Sequence, residues 1–96
     1  MTIKAAFTSQ GILVGHVTEN MDGSVDFENP VIAIPQGTQN IAFLPLLGLM
    51  EEKRVKLKPE EINYGELFTP AVDVRNHYNK MFGSGIIEAG SNSLQL

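Results

Sequence analysis

A glycine, Gly15, interrupts the second strand-like run of the sequence. Glycine weakens a strand because it has no side chain to pack, so within a strand it often marks a bulge or a bend. The apolar residues around it otherwise alternate with the period of two that is typical of a strand, with Ile12 and Val14 on one face and Leu13 and Val17 on the other. Gly15 is therefore the feature that most restricts how this run can fold.

The strand that contains Gly15 turns back through Asn20-Met21-Asp22-Gly23, whose Asp-Gly pair is typical of a β-hairpin. Asn29 and Pro30 follow this turn at about the distance at which Gly15 precedes it. Proline cannot donate a hydrogen bond to a neighbouring strand, so it marks a bulge or a corner. We therefore expect both strands to bend at the same level, which would let a small sheet curl over and close into a barrel.

Short apolar runs separated by turn residues continue through the first two thirds of the chain and predict a mostly β domain. The predicted strands cover 3–7, 12–19, 24–34, 41–47, a half-exposed run around 55–57, and a closing strand over 62–68. The run IAFLPLLGLM within 41–50 is too apolar for so small a barrel to bury completely. We expect a neighbouring subunit to cover this exposed apolar edge.

The sequence then changes to a helical period. Thr69 as N-cap and Pro70 at the first helical position predict an amphipathic helix over 70–82, ended by Gly83. The expected apolar stripe consists of Ala71, Val74, Tyr78 and Met81. The side chains expected to face away from it are Arg75, Asn76, Asn79 and Lys80. We predict one domain over 1–88 and a flexible tail over 89–96.

Composition narrows the function. The 96 residues carry a net charge of −4 and no cysteine, which fits a reducing compartment and excludes a thiol nucleophile. No phosphate-cradling loop or nucleophile–base pattern is present, and His16 and His77 lack a third ligand. We expect a protein that is not an enzyme and has neither a metal site nor a cofactor. Without a signal peptide or a membrane-spanning run, it is expected to be soluble and cytoplasmic.

Positive charge is concentrated in one run, KRVKLK. Its bases are candidates for contacts with the phosphates of a nucleic acid: Lys53, Arg54, Lys56 and Lys58. The alternative is a solvated strand face that protects an edge from aggregation. Asn20 and Asp26, near the hairpin turn, are candidates for contacts with base edges, although such residues often only build the turn.

Two longer segments carry a resemblance. GILVGHVTENMDGSVDFEN resembles the first motif of the Sm and Sm-like (LSm) proteins, and RVKLKPEEINYGELF resembles their second. The stretches AFLPLLGL, VKLKPEEI and HYNKMFGSGI are similar to small Sm-like proteins of marine cyanophage type. Lys58-Pro59 replaces the Arg-Gly of the second motif, which keeps the charge without the planar guanidinium.

The resemblance covers 3–87 and implies a small, strongly bent, five-stranded Sm-like (SH3-type) barrel with, here, one C-terminal helix. It also implies a homo-oligomeric ring, which we expect to hold five to seven copies, and RNA or single-stranded DNA as the ligand. If the protein is phage-encoded, its location would be the host cell cytoplasm. Two functions stay open: a nucleic-acid-binding ring subunit, and an oligomeric structural or adaptor protein of a phage with no affinity for nucleic acid.

Overall fold

The computed structural model describes residues 2–37 and 40–82. These residues form five strands and one α-helix: β1 (Thr2–Thr8), β2 (Gly11–Glu19), β3 (Val25–Gln36), β4 (Asn40–Pro45), β5 (Arg54–Leu57) and α1 (Val72–Met81). Two short 3-10 turns, Pro59–Glu61 and Asn63–Gly65, lie between β5 and α1. The expected mostly β architecture with a helix after the strands is confirmed.

The five strands form one antiparallel sheet in which β3 is the central member. Its one edge pairs with β2 along most of its length. Its other edge is shared, because β5 pairs with residues 25–28 and β4 pairs with residues 31–36. The two halves of β3 thus have different neighbours, and the division falls at Asn29 and Pro30.

A bulge lies at this division. The register of β2 and β3 shifts across it, with the pairs Val14–Val31 and His16–Glu28 on its two sides. Two residues of β3, Asn29 and Pro30, therefore lie opposite the single residue Gly15, and Asn29 adopts a positive φ of 51°. A Cβ atom added to Gly15 would lie 3.1 Å from a backbone oxygen of β3. The predicted bend is confirmed, and the approach of two backbones explains the glycine.

The bulge reverses which face of the sheet the side chains of β3 point to. Phe27 and Val31 would share a face in a regular strand, yet they belong to different core clusters. The inner cluster consists of Ala6, Leu13, Val17, Val25, Phe27 and Ile62. The helix-side cluster consists of Ile3, Ala5, Val14, Val31 and Tyr78. The sheet is therefore covered by residues 62–67 on one face and by α1 on the other.

Tyr78 fixes the helix to the bulge. Its side chain is fully buried, and its hydroxyl lies 2.9 Å from the carbonyl oxygen of Glu28 and 2.7 Å from that of Asn29. The ring of His16 packs edge-on against the tyrosine ring at 5.4 Å. The phenol of Tyr78 thus donates to backbone carbonyl groups of β3 at the place where the ladder between β2 and β3 is interrupted.

The predicted closing strand over 62–68 is wrong. This segment forms a 3-10 turn in which Tyr64 and Gly65 have φ values of 67° and 68°, a conformation that an extended strand cannot contain. A single bridge remains, in which the backbones of Ala5 and Phe68 exchange hydrogen bonds of 2.7 and 2.8 Å. Because one bridge does not make a strand pair, the sheet stays open and the closed barrel is not confirmed.

The helix also differs in detail from the prediction. Its N-cap is Ala71 rather than Thr69, whose hydroxyl instead accepts a hydrogen bond from the amine of Lys4 at 2.8 Å. Asn79, expected to face away, is buried, whereas Met81, expected in the stripe, is 41 % exposed. Docking of Tyr78 at the bulge sets the rotation of the helix. Gly83, the end of the predicted domain over 83–88 and the tail over 89–96 lie outside the described residues.

Gly15→Ala should destabilise the fold by about 1–3 kcal/mol, because the new methyl group presses on a backbone oxygen that cannot move without opening the bulge. Chemical denaturation at one fixed protein concentration measures the effect. Thr18→Ala, an exposed position in the same strand, is the control and should stay within about 0.5 kcal/mol. Equal stability of the glycine variant and the wild type would contradict the close approach.

Tyr78→Phe should cost about 1–3 kcal/mol, since it leaves buried backbone groups without a partner. Burial raises the pKa of Tyr78 to about 12, so folding favours the protonated phenol. This contribution to stability is complete below the unfolded pKa of about 10 and is lost as the pH rises to about 12. Across that pH range, the free energy of unfolding should therefore fall less steeply with pH in Tyr78→Phe than in the wild type. The exposed Tyr64→Phe is the control, and an unchanged slope in the Tyr78 variant would refute the assignment.

Candidate nucleic-acid interface

The basic run consists of β5 and one residue on each side of it. Arg54, Lys56 and Lys58 are exposed, while Val55 and Leu57 between them pack on the inner cluster. The alternation follows from the strand period of two, which the sequence predicts here. Three of the four predicted phosphate-contacting side chains therefore lie along one outward face at the end of the sheet.

The strand register places acids beside two of these bases. Arg54 lies opposite Glu28 and Lys56 lies opposite Asp26. The guanidinium of Arg54 is 3.9 Å from the carboxylate of Glu28, and both side chains are partly exposed. An exposed pair of this kind contributes little to stability. It does, however, lower the positive potential of the face. Lys58 lies beyond the paired residues of β5, and its backbone N–H donates a hydrogen bond to the carboxylate of Glu61 at 2.8 Å.

Lys53 differs from the other bases of the run because its amine is engaged in hydrogen bonds within the chain. Its amine donates hydrogen bonds to the carbonyl oxygens of Leu47 and Met50, at 3.1 and 2.7 Å. Its own carbonyl oxygen accepts the backbone N–H of Asn29 at 2.6 Å. Lys53 therefore holds the turn that connects β4 to β5 against the bulge. Its position in the basic run gave no signal of this role.

The two hairpin candidates lie apart. Asn20 donates its side-chain amide to the hydroxyl of Ser24 at 3.0 Å, and the carboxylate of Asp22 accepts both the hydroxyl and the backbone N–H of Ser24. These hydrogen bonds lower the pKa of Asp22, and the one from the hydroxyl of Ser24 has the largest effect. Asn20 is thus engaged within the turn, as the simpler interpretation of such residues expects. Asp26 lies on β3, on the same outward face as Lys56.

The outer edge of β4 carries the exposed apolar residues that the sequence predicts. Among the described residues, β4 pairs only with β3, so its second edge has no strand partner. The strand contains no charged residue. Large apolar side chains that are at least 38 % exposed lie on it and in the turn that follows: Ile41, Leu44, Leu46, Leu49 and Met50. The strand ends at Pro45, earlier than predicted, because the chain turns there.

A small open cleft beside this turn offers little chemistry. Its lining is mostly apolar and includes Pro30, Pro45, Leu47 and Phe82. The charged residue at its border is Lys53, whose amine is already bound to the turn. Within residues 2–37 and 40–82, no three histidine, aspartate or glutamate residues are grouped so that they could hold a metal ion.

The histidines differ in their surroundings. His77 is exposed and its ring lies 4.7 Å from that of Phe43. His16 is partly buried beneath α1, and its Nδ1 atom has no hydrogen-bond partner. Burial lowers the pKa of His16, which favours the neutral ring at this position.

Tyr64 has an exposure that the sequence did not reveal. It is 78 % exposed, whereas Tyr78 is fully buried. Its ring contacts those of Phe7 and Phe68. The spacing of Tyr64, Phe68 and Tyr78 favours core or interface positions, and it could not separate the buried tyrosine from the exposed one. Gly65, directly after Tyr64, is the signal that could have indicated a turn here, because glycine is a strong local breaker of secondary structure.

The part of the chain that the structure describes has no helix with the length and apolar character needed to cross a lipid bilayer. A scan against protein-family models finds no match, and a search of curated proteins finds no relative of this chain.

Proposed function

We propose that this protein is a non-enzymatic subunit of a homo-oligomeric ring of the Sm-like type, and that the ring binds RNA or single-stranded DNA. The open apolar edge of β4 is the observation that carries this proposal. An uncharged strand edge with exposed leucine and isoleucine side chains favours pairing with another strand. If each subunit is related to the next by a rotation that closes into a ring, pairing among five to seven identical subunits would cover every such edge.

The strand arrangement supports the same proposal. The neighbours across the sheet are, in order, the segment at Phe68, β1, β2 and β3, and then β4 and β5 side by side. A barrel of the proposed type would need a complete strand pair in place of the single bridge between Ala5 and Phe68. Contacts with a second copy would stabilise the segment near Phe68, where one chain provides only a single bridge.

The nucleic-acid part of the proposal depends on the face of β5. Lys56 and Lys58 extend from this face, and both are exposed. In a ring each copy would contribute the same basic residues, so a modest patch would be repeated around the axis. Phosphate contacts of this kind are electrostatic, and they weaken as salt is raised. Such a ring would fit a role in processing phage RNA or DNA.

A second function is favoured by the register of β3 and β5. Asp26 and Glu28 lie opposite Lys56 and Arg54, and the subunit as a whole has a net charge of −4. Both observations weaken attraction for a polyanion. On this alternative the ring is a structural or adaptor component of a phage, and it assembles without binding nucleic acid.

Leu44→Lys should reduce self-association, because it puts a charge on the exposed part of the β4 edge. Light scattering should give the wild type a mass of several 10.5 kDa subunits and the variant a smaller one. Met21→Lys makes the same chemical change at an exposed position in the hairpin turn, and should leave the mass unchanged. A monomeric wild type would remove the ring from both candidate functions.

Lys56→Glu should weaken the binding of a fluorescent single-stranded oligonucleotide and flatten its dependence on salt. Lys80→Glu, the same charge change on the helix, is the matched control and should have a smaller effect. Fluorescence anisotropy across a salt series measures both variants. A wild-type ring without affinity at low salt would favour the assembly protein, and equal effects of the two substitutions would remove β5 as the binding face.

A further inference from the structure

Tyr64 is held in an unfavourable backbone conformation. Its φ is 67°, in the left-handed region, and it is followed by Gly65 at 68°. A bulky residue rarely adopts this region, because its Cβ crowds the backbone, and such residues concentrate at functional positions. The strain does not serve burial, because the residue is 78 % exposed. The conformation instead turns a large aromatic side chain toward solvent.

Two further rings support Tyr64. The ring of Phe7 lies 5.5 Å from that of Tyr64 and 5.3 Å from that of Phe68, and the distance between Tyr64 and Phe68 is 6.4 Å. All three pairs are nearly perpendicular, at 87–89°, which is the favourable edge-to-face geometry. Phe7 belongs to β1, and the backbone of Phe68 exchanges two hydrogen bonds with the backbone of Ala5. The tyrosine ring is thus restrained by the sheet while most of its surface stays open.

We propose that Tyr64, supported by Phe7 and Phe68, is a stacking platform for an unpaired base of RNA or single-stranded DNA. This inference rests on the proposed nucleic-acid function and adds a site to it. A preorganised aromatic ring loses little conformational entropy when a flat ligand stacks on it. A base of any sequence offers such a flat face, so the platform suits a single strand rather than a paired duplex.

The charges near Tyr64 define the kind of contact. The chain places Lys58 before the two 3-10 turns, but it also places exposed Glu60 and Glu66 close to Tyr64 in sequence. Acidic neighbours disfavour a phosphate at this point, whereas stacking involves a base that carries no charge. The contribution of Tyr64 to affinity is therefore independent of salt, unlike that of Lys56 on β5.

Intrinsic fluorescence reports this contact directly. The chain has no tryptophan and only two tyrosines, of which Tyr78 is fully buried. Titration with an unlabelled single-stranded oligonucleotide should quench the emission of Tyr64. The Tyr64→Phe variant should bind with nearly the same affinity, since the ring remains, but without the quenching.

Tyr64→Ala should weaken binding by roughly 5- to 150-fold, the range that corresponds to the loss of one stacked base. The factor should be the same at low and high salt. Met21→Ala, which removes another exposed apolar side chain, is the control and should bind as the wild type does. Light scattering of each variant reports whether the oligomer is intact.

The possible failures are distinct. If the wild type binds and Tyr64→Ala binds equally well, the platform is refuted while the nucleic-acid function stands. If no variant binds at any salt concentration, the proposed function fails and the platform fails with it. If Tyr64→Ala changes the mass of the assembly, Tyr64 is an interface residue and the platform is again refuted.

Discussion

The close approach of β2 and β3 at Gly15 is the constraint on which the other features of this fold depend. A bulge of two residues, Asn29 and Pro30, faces a position with no side chain, and the ladder between the strands is interrupted there. An interrupted ladder would normally leave buried backbone groups without partners. The hydroxyl of Tyr78 lies within hydrogen-bond distance of the carbonyl oxygens of Glu28 and Asn29 in β3, so the helix is fixed by the same irregularity that bends the sheet.

The bend has unequal consequences for the two strands that share the second edge of β3. β5 presents an alternation of exposed bases and buried apolar residues, and its charges protect that edge from pairing with other chains. β4 has no charge, and its apolar side chains remain exposed. One edge of the molecule is therefore suited to solvent and the other to a further protein strand. This difference is the physical basis for proposing an oligomer.

The register of β3 and β5 also determines which acids lie beside the bases of the basic run. In sequence, the run from Lys53 to Lys58 is the densest positive segment, and the acids of β3 lie far from it. Antiparallel pairing puts Glu28 opposite Arg54 and Asp26 opposite Lys56. The amine of Lys53 is engaged in hydrogen bonds to the β4–β5 turn. A local count of charges therefore overstates the attraction that this face exerts on a polyanion.

The sequence by itself determined the local features of the molecule: the five observed strands approximately, the hairpin at Asp22-Gly23, the bend at Gly15 and the helix that contains Tyr78. These depend on side-chain period, turn chemistry and the missing Cβ of glycine, which act over a few neighbours. It misjudged the segment over 62–68, which forms one 3-10 turn and a single bridge instead of a strand. Only the tertiary structure decided that Tyr78 is buried and Tyr64 exposed, that Asn79 faces inward, and that acids lie beside the bases of β5. Those outcomes depend on contacts between residues far apart in the chain, and no local pattern encodes such contacts.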